Sequence, residues 1–268
     1  MFKDKTVVIT GASAGVGAAC ARSFAELGAR LVLIARGKSA LDAIAEELGQ
    51  KTEVLTIVMD VADTAACATL AEQCISRFGA IHILVNNAGL HHRGDMTTRT
   101  AMEITAMVDV NLRAPLQLTA ELLPSIQAAG GGAIVMVGSL AGRAPLQGAA
   151  TYAATKAGLR AFTYSLSDEL AGSGVHVGVV SVGPIDTGFI MDNIDAVEDI
   201  VYSQPMSSAA EVAASVVAIA RGEAVEISMP LISGKMLTLA YLFPWLRRST
   251  RGLLYRIGKN NKAKYRQR

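Results

Sequence analysis

Cysteines, acidic residues near the C-terminus and long apolar runs are scarce or missing in this sequence, and each absence excludes a class of protein. Three cysteines occur among 268 residues, with neither the even count of a disulfide framework nor the spacing of a zinc site. We therefore expect Cys20, Cys67 and Cys74 to be buried thiols, and we predict no metal site. Hydrophobic residues make up 51% and charged residues 18%, which excludes a disordered chain and favours a large core.

The N-terminus lacks the charged region, apolar stretch and cleavage site of a secretory leader. Met1 to Lys5 lead directly into the apolar segment 6–10. The apolar segment 236–246 is interrupted by Pro244 and is too short to span a bilayer of about 30 Å. We therefore predict a cytoplasmic protein whose contact with a membrane, if it has one, is peripheral.

Acidic residues are missing after Glu226, although basic residues are abundant there. All 23 acidic residues and 15 of the 25 basic residues precede residue 235, so residues 1–234 carry a formal charge of −8 and residues 235–268 carry +10. The ten basic residues of the tail are Lys235, Arg247, Arg248, Arg251, Arg256, Lys259, Lys262, Lys264, Arg266 and Arg268. Apolar and aromatic residues beside such a charge are typical of a segment that lies on an anionic membrane surface. A helix packed on the domain, or on a second subunit, explains the tail equally well. The acidic body, without a recognised motif, disfavours nucleic-acid binding.

Short apolar runs alternate with segments of helical period along residues 6–182. The predicted strands are 6–10, 30–35, 53–59, 81–85, 132–138 and 175–182, and the predicted helices are 15–28, 38–49, 63–79, 98–129 and 150–172. This order predicts βαβ units in an α/β fold, a Rossmann-like doubly wound parallel sheet. We expect one dinucleotide-binding and catalytic domain over 1–234, followed by a basic amphipathic C-terminal extension over 235–268.

The segment 10–17, Thr-Gly-Ala-Ser-Ala-Gly-Val-Gly, joins the first strand to the first helix. Glycines there allow a tight turn and a close approach to a pyrophosphate, which the N–H groups at the helix start would bind. The candidate cofactor-binding residues of this turn are Gly11, Ser13, Gly15, Val16 and Gly17. Its position after the first strand favours a functional turn over a purely structural one.

The end of the second strand distinguishes the two nicotinamide cofactors. An NAD-binding site usually has Asp or Glu here to accept a hydrogen bond from the ribose 2′-OH, but this chain has Ala35 and Arg36, with Lys38 nearby. A guanidinium can bind a 2′-phosphate in a fork. We therefore predict that the protein prefers NADP(H), although NAD(H) remains possible. The alternative interpretation of Arg36 is an exposed side chain that binds no phosphate.

Tyr152 and Lys156 lie four residues apart at the start of the fifth predicted helix, so they share a face. A unit charge about 4 Å away contributes about 4 kcal/mol at an effective dielectric near 20. That is about three pK units, and we expect Lys156 to lower the pKa of the Tyr152 phenol toward the working range. Ser139, at the end of a strand, could polarise a carbonyl oxygen, and Asn111 could hold a water that links Lys156 to solvent.

With these pieces in this order, the sequence resembles the short-chain dehydrogenase/reductase family over about residues 5–230. The matching pieces are TGASAGVG at 10–17, Asp60 and Val61, NNAG at 86–89, Asn111, Ser139 and YAATK at 152–156. The resemblance implies a catalytic triad of Ser139, Tyr152 and Lys156, completed to a tetrad by Asn111.

The resemblance also implies further cofactor contacts. Asp60 would contact the adenine with Val61 beside it, and Lys156 would also bind the nicotinamide ribose. Asn87, Ala88 and Gly89 would line the cofactor, and Ile185 and Thr187 would hold the carboxamide. One departure is Val182, which stands before Gly183 where the family usually has proline; we expect cofactor binding to survive it.

The function implied is an NADP(H)-dependent oxidoreductase that interconverts a carbonyl and an alcohol, with Tyr152 as acid/base. The apolar residues of 187–205 favour a lipophilic substrate if they form a lid over it, although they could merely pack that lid on the core. His91, His92 and Arg93 follow the NNAG loop and could reach the mouth of the cleft, although we favour a solvated loop. The resemblance implies a homodimer or homotetramer. The alternatives are a non-catalytic NADP(H)-binding regulator or membrane-surface scaffold, and an epimerase or dehydratase that uses the same Tyr–Lys pair.

Overall fold

A computed structural model describes residues 1–192 and 194–266. The strands are β1 (Thr6–Thr10), β2 (Arg30–Ala35), β3 (Val54–Val58), β4 (Ile83–Asn86), β5 (Gly132–Val137), β6 (Val175–Val182) and β7 (Glu226–Met229). They form a parallel sheet in the order β3-β2-β1-β4-β5-β6-β7. The predicted doubly wound parallel sheet is confirmed, and its order reverses between β1 and β4.

The helices are α1 (Gly15–Glu26), α2 (Lys38–Gly49), α3 (Thr64–Ala68), α4 (Leu70–Phe78), α5 (Ala101–Val108), α6 (Ala114–Ala128), α7 (Ala150–Glu169), α8 (Gly188–Met191), α9 (Ala209–Ala220), α10 (Leu231–Leu242) and α11 (Pro244–Tyr265). The segment 63–79, predicted as one helix, is two. The segment 98–129 contains α5 and α6, joined by one π-helical turn at Asp109–Arg113. Thr100 caps the start of α5 and forms a capping box with Glu103, in which each side chain binds the other residue's backbone N–H.

Two apolar cores lie on the two faces of the sheet. Successive side chains of a strand point to opposite faces, so a strand covered on both sides is apolar throughout. Thus Val7 and Ile9 belong to one core, whereas Val8 belongs to the other. The three cysteines are buried free thiols, as predicted, and burial raises the pKa of Cys20 and Cys74 to about 12.

The strand β7 and the helices α10 and α11 complete the fold beyond residue 225, and the sequence analysis did not assign them. α10 begins at Leu231, before the predicted domain boundary between 234 and 235, and α11 begins at Pro244. Among the described residues, no helix has the length and apolarity needed to cross a membrane.

Candidate active site

The turn between β1 and α1 leaves no room for side chains. Gly11 and Gly15 have φ angles of +65° and +53°, which favour glycine. A Cβ on Gly17 would lie 2.1 Å from the Gly11 carbonyl oxygen, so the start of α1 can pack there only without one. The first turn of α1 has no acidic residue and no side-chain cap, so its N–H groups are not used by a cap. This turn fits a pyrophosphate.

The loop after β4 is held beside this turn, where the order of the sheet reverses. The Thr10 hydroxyl accepts hydrogen bonds from the backbone N–H groups of Asn87 and Ala88, both at 3.0 Å. The Asn87 amide in turn donates to the carbonyl oxygens of Thr10 and Gly11 at 2.9 and 3.2 Å. Parallel sheets bind ligands at the carboxyl ends of strands at such a reversal. The two predicted cofactor motifs therefore form one surface.

A cavity of about 840 Å³ opens over this surface. The predicted site residues that line it are Gly11, Gly15, Val16, Asn87, Ala88, Gly89, Ser139, Tyr152, Lys156, Ile185 and Thr187. Ser13, Gly17, Arg36, Asp60, Val61 and Asn111 do not line it. Arg36 is exposed and lies 3.8 Å from the Asp60 carboxylate, so the two predicted adenosine contacts are neighbours at the ends of β2 and β3.

Tyr152 and Ser139 both line the cavity, and Ser139 is near enough to the phenol to affect its pKa. Ser139 follows β5 and its Oγ accepts a hydrogen bond from the Ala141 N–H at 3.1 Å. Burial raises the Tyr152 pKa above its ordinary value, while the Ser139 side chain and the Arg93 charge oppose the rise. The phenol is therefore protonated near neutral pH. This corrects the expectation that Lys156 lowers the pKa of Tyr152 in the protein alone.

Lys156 extends from the next turn of α7 and is 5% exposed. Its Nζ donates to the Val137 carbonyl oxygen at 3.0 Å and lies 5.8 Å from the centre of the Tyr152 ring. Burial lowers the Lys156 pKa to about 8, because removal from water disfavours the charged form. The amine thus changes charge near physiological pH, close to the phenol.

Asn111 lies on the π-helical turn between α5 and α6, an irregularity that is frequent at functional sites. Its side chain accepts from the Leu90 N–H and donates to the Leu90 carbonyl, both at 2.7 Å. A Cβ on Gly89 would lie 3.6 Å from the Asn111 Oδ1 and 4.0 Å from the Lys156 Nζ. Asn111 thus secures the loop after β4 beside Lys156.

A family model for short chain dehydrogenases matches residues 5–198. This match covers more than half of the chain and includes the glycine turn, the loop after β4 and the Ser139–Tyr152–Lys156 cluster. The chain belongs to the short-chain dehydrogenase family. The resemblance stated from the sequence is therefore confirmed.

Similar proteins of this family include dehydrogenases and reductases. The chain is 34% identical over 200 residues to dehydrogenase/reductase SDR family member 7B of Danio rerio, which covers 72% of this chain and 65% of that protein. It is 38% identical over 191 residues to sulfoacetaldehyde reductase 2 of Chromohalobacter salexigens, covering 69% of this chain and 74% of that one. The chain therefore spans about two thirds of the length of the zebrafish relative.

Solved structures of the family superpose on most of the chain. A metagenomic short-chain oxidoreductase in complex with NADP has a TM-score of 0.72 at 30% identity, covering 85% of this chain and 97% of that one. The L-sorbose reductase of Gluconobacter frateurii, complexed with NADPH and L-sorbose, has a TM-score of 0.73 at 29% identity, covering 82% and 90%. The family relationship thus extends to structures that contain the phosphorylated dinucleotide.

Two residues of the loop after β4 belong to the site, although the sequence analysis interpreted them as solvated. The His91 ring stacks on the Tyr152 ring, with centres 4.1 Å apart and planes 9° apart. Burial lowers the His91 pKa to about 3, so the ring is neutral near pH 7. Arg93 lines the cavity and donates to the Phe189 carbonyl oxygen at 3.1 Å. No spacing in the sequence relates the loop 91–93 to Tyr152, because the fold alone brings them together.

Residues of the segment 187–205, called the lid below, and of α10 and α11 also line this cavity. Ile190, Val197 and Tyr202 form a small buried core, which Tyr265 of α11 contacts, whereas Phe189 and Ile200 line the cavity. Residues of this segment therefore pack on a core of their own and also line the cavity, and Ile190 does both. The cavity wall also includes Leu237, Ala240, Arg247, Arg248, Thr250, Arg251, Leu254 and Tyr255 of α10 and α11. The described residues contain no group of His, Cys, Asp or Glu that could hold a metal ion.

Proposed function

We propose that this protein is an NADP(H)-dependent oxidoreductase that interconverts a carbonyl and an alcohol on a lipophilic substrate, with Tyr152 as the acid/base. The observation that carries the proposal is that Ser139, Tyr152 and the buried Lys156 line the same cavity as the glycine turn. Family membership and the NADP-bound relatives support it.

The residues of this chain would orient the substrate and transfer protons. When bound, the dinucleotide supplies or accepts the hydride. Ser139 and Tyr152 would hold the carbonyl oxygen, and the protonated phenol would donate to that oxygen as negative charge develops. Lys156, whose pKa is lowered to about 8, would return the proton and hold the ribose. Asn111 would position the loop at Gly89 and complete a water path from Lys156 to solvent.

The lipophilic character of the substrate is inferred from the cavity wall. Apart from the site residues already described, the wall is largely apolar: Leu140, Ala144, Pro145, Leu146, Phe189, Ile190, Ile200, Val201, Leu237 and Leu254 line it. Ligand sites combine such a lining with a few polar groups that orient the ligand. A long-chain ketone, sterol or retinoid is therefore favoured over a small polar sugar.

The variant Tyr152→Phe tests the catalytic assignment. We expect kcat to fall by about 10²- to 10⁴-fold, the usual contribution of a general acid. NADPH binding, followed by nicotinamide fluorescence, should persist. Tyr164→Phe on the same helix is the control, because Tyr164 lies outside the cavity. Unchanged turnover in Tyr152→Phe would refute the assignment.

The stoichiometry of cofactor oxidation separates the alternatives. A reductase forms one NADP⁺ for each alcohol produced, an epimerase or dehydratase forms product without net oxidation, and a regulator forms neither. A panel of sterol, retinoid, long-chain and small carbonyl compounds, each followed by NADPH absorbance and product analysis, decides among the three.

A second proposal concerns α10, which we infer to lie on an anionic membrane surface of the cytoplasm. Its outward side chains are apolar and exposed: Leu231, Ile232, Met236, Leu239, Tyr241 and Leu242, followed by Phe243 and Trp245. No acidic residue lies in 235–266, so all the charged side chains that α10 and α11 themselves carry are basic. Basic residues near an anionic surface contribute about 1 kcal/mol each, and apolar side chains add to that by burial.

Vesicle sedimentation tests this surface. The full chain should sediment with phosphatidylcholine vesicles that contain phosphatidylglycerol, less so at high salt, and not with phosphatidylcholine alone. The double variant Ile232→Ser/Met236→Ser should lose sedimentation, whereas the control Met102→Ser, at another exposed methionine, should keep it. The membrane proposal is wrong if the double variant sediments with vesicles as the wild type does but is a monomer where the wild type is an oligomer. In that case a second copy of the chain covers α10. A homodimer or homotetramer, expected from the family, remains a proposal that the same sizing measurement tests.

A further inference from the structure

We propose that α11 supplies a binding site for an anionic group of the substrate, so that the substrate is an amphiphile with a carbonyl at one end and a carboxylate or similar anion at another. This inference deepens the proposed function and rests on it. Four guanidinium groups line the cavity, from Arg93, Arg247, Arg248 and Arg251. Among the described residues of the cavity wall, Asp192 has the sole carboxylate.

These arginines are not committed to ion pairs within the described part of the chain. The side chains of Arg247 and Arg248 have no hydrogen bond or ion pair to any described residue. Arg93 donates to the Phe189 carbonyl and lies 5.5 Å over the Phe189 ring, and Arg251 lies over the Tyr255 ring. Guanidiniums that face a largely apolar cavity without a carboxylate partner match an anion that binds with a hydrophobic body.

The position of the arginines points to the substrate rather than to the cofactor. α11 rests on the segment 194–203: the Tyr255 hydroxyl bonds the Glu198 carboxylate at 3.2 Å, and the Asn261 amide donates to the Tyr202 carbonyl at 3.0 Å. The part of the cavity wall that these two segments supply includes the apolar residues Ile200, Val201 and Leu254. The phosphate-binding features described above, in contrast, lie at the start of α1 and at the end of β2.

The experiment compares a keto fatty acid with its methyl ester and with the corresponding keto-alkyl phosphate, each with NADPH. The wild type should prefer the acid or the phosphate over the ester by at least tenfold in kcat/KM. In Arg247→Gln/Arg248→Gln, kcat/KM for the preferred anion should fall by about 10- to 100-fold, mainly through KM, while the ester changes less than twofold. Arg256→Gln is the matched control, since it lies on the same helix but does not line the cavity. The ratio of acid to phosphate identifies the anion.

Three outcomes would overturn the inference: equal rates for acid, phosphate and ester in the wild type, an equal loss for all three in the double variant, or a loss of NADPH affinity in that variant. A separate binding measurement keeps the inference testable if no carbonyl is reduced. An unreactive fatty acid should raise the Tm of the NADPH-loaded wild type more than the matching fatty alcohol does, and this difference should vanish in the double variant. Absence of turnover alone would count against the proposed function only.

Discussion

Lys156 is buried, with 5% of its surface exposed, and its amine is bonded to the Val137 carbonyl. An apolar residue of similar length would avoid the cost of burying that charge. The protein retains the lysine beside Tyr152, where the proposed function requires the amine. Such sites are expected to trade stability for activity.

This cost gives a prediction for Lys156→Met. Burial holds the pKa of Lys156 in the folded state at about 8, below its ordinary value of 10.5, so the folded state disfavours the proton. The penalty is complete below pH 8 and disappears as pH rises from 8 to 10.5, because the unfolded state binds more protons in that window. At pH 7 and without cofactor, the free energy of unfolding of the variant, measured in urea, should therefore be about 1 to 3 kcal/mol higher than that of the wild type. This figure allows for the loss of the hydrogen bond to Val137.

The gain of Lys156→Met should shrink between pH 8 and pH 10.5, and catalysis should be lost at every pH. Lys38→Met, at an exposed lysine outside the cavity, is the control and should show no such pH dependence. A variant that is less stable than the wild type at pH 7 would contradict the argument.

Arg36 is the second residue whose environment makes a prediction. It is exposed and faces the Asp60 carboxylate at 3.8 Å, and a pair so open to water contributes little to stability. Arg36→Ser should raise the NADPH dissociation constant by about tenfold or more, the loss of a charge-assisted fork. NADH binding should change less than twofold. Equal weakening of both cofactors, measured by fluorescence titration, would show that Arg36 does not distinguish them.

At the scale of elements, α11 is joined to the lid. The Lys262 amine, on a residue 7% exposed, donates to the Val197 carbonyl at 2.7 Å and lies 3.2 Å from the Asp199 carboxylate. Gly258 lies directly against the backbone at Asp199, where a Cβ would be 1.8 Å from the carbonyl oxygen. The helix therefore supports the lid only while residue 258 lacks a side chain.

Two glycines of α11 allow a matched test of this contact. Gly258→Ala should separate the helix from the lid, destabilise the protein by about 1 to 3 kcal/mol and raise KM for the substrate. Gly252 has no atom within 4 Å of its added Cβ, so Gly252→Ala should stabilise by about 0.5 to 1 kcal/mol through helix propensity alone. Hydrogen exchange should speed up at 199–203 in the first variant only. If hydrogen exchange at 199–203 were equally fast in Gly258→Ala and Gly252→Ala, α11 would not support the lid.

At the scale of the whole molecule, one buried carboxylate joins distant parts of the chain. Glu226 of β7 has a side chain that is 4% exposed, and it bonds Arg143, Arg160, Tyr164 and Ser181. Burial acts to raise its pKa, but the hydrogen bonds from Arg160, Ser181, Tyr164 and Arg143 outweigh burial and lower it to about 2. The carboxylate thereby connects β6, α7 and the loop after Ser139.

Glu226→Gln should therefore destabilise the fold by about 3 to 5 kcal/mol at pH 7, since it removes the charge that balances two partly buried guanidiniums. The stabilisation by Glu226 is complete above pH 4.5 and is lost as pH falls toward 2, so the two proteins should converge in that window. Glu223→Gln, at an exposed neighbour, should cost less than about 0.5 kcal/mol. A constant difference between pH 6 and pH 3 in urea unfolding would contradict this role.

Much of this protein can be predicted from its sequence, because it depends on interactions within short segments. The alternation of apolar strands and helices, the glycine turn at 10–17 and the order of Ser139, Tyr152 and Lys156 are properties of short segments. Their backbone preferences and spacing act over a few residues and need no partner. For that reason they predicted the parallel sheet, the edge at which the cavity opens and the members of the proposed catalytic cluster.

Contacts between distant segments were decided by the tertiary structure alone. Three features depend on residues that are far apart in the sequence. His91 stacks on Tyr152, arginines of α11 line the cavity, and Glu226 joins four segments. The raised pKa of Tyr152 belongs with them, because desolvation depends on everything packed around the phenol. A sequence states which groups are present, whereas the free energy of a charge depends on which groups and how much water surround it after folding.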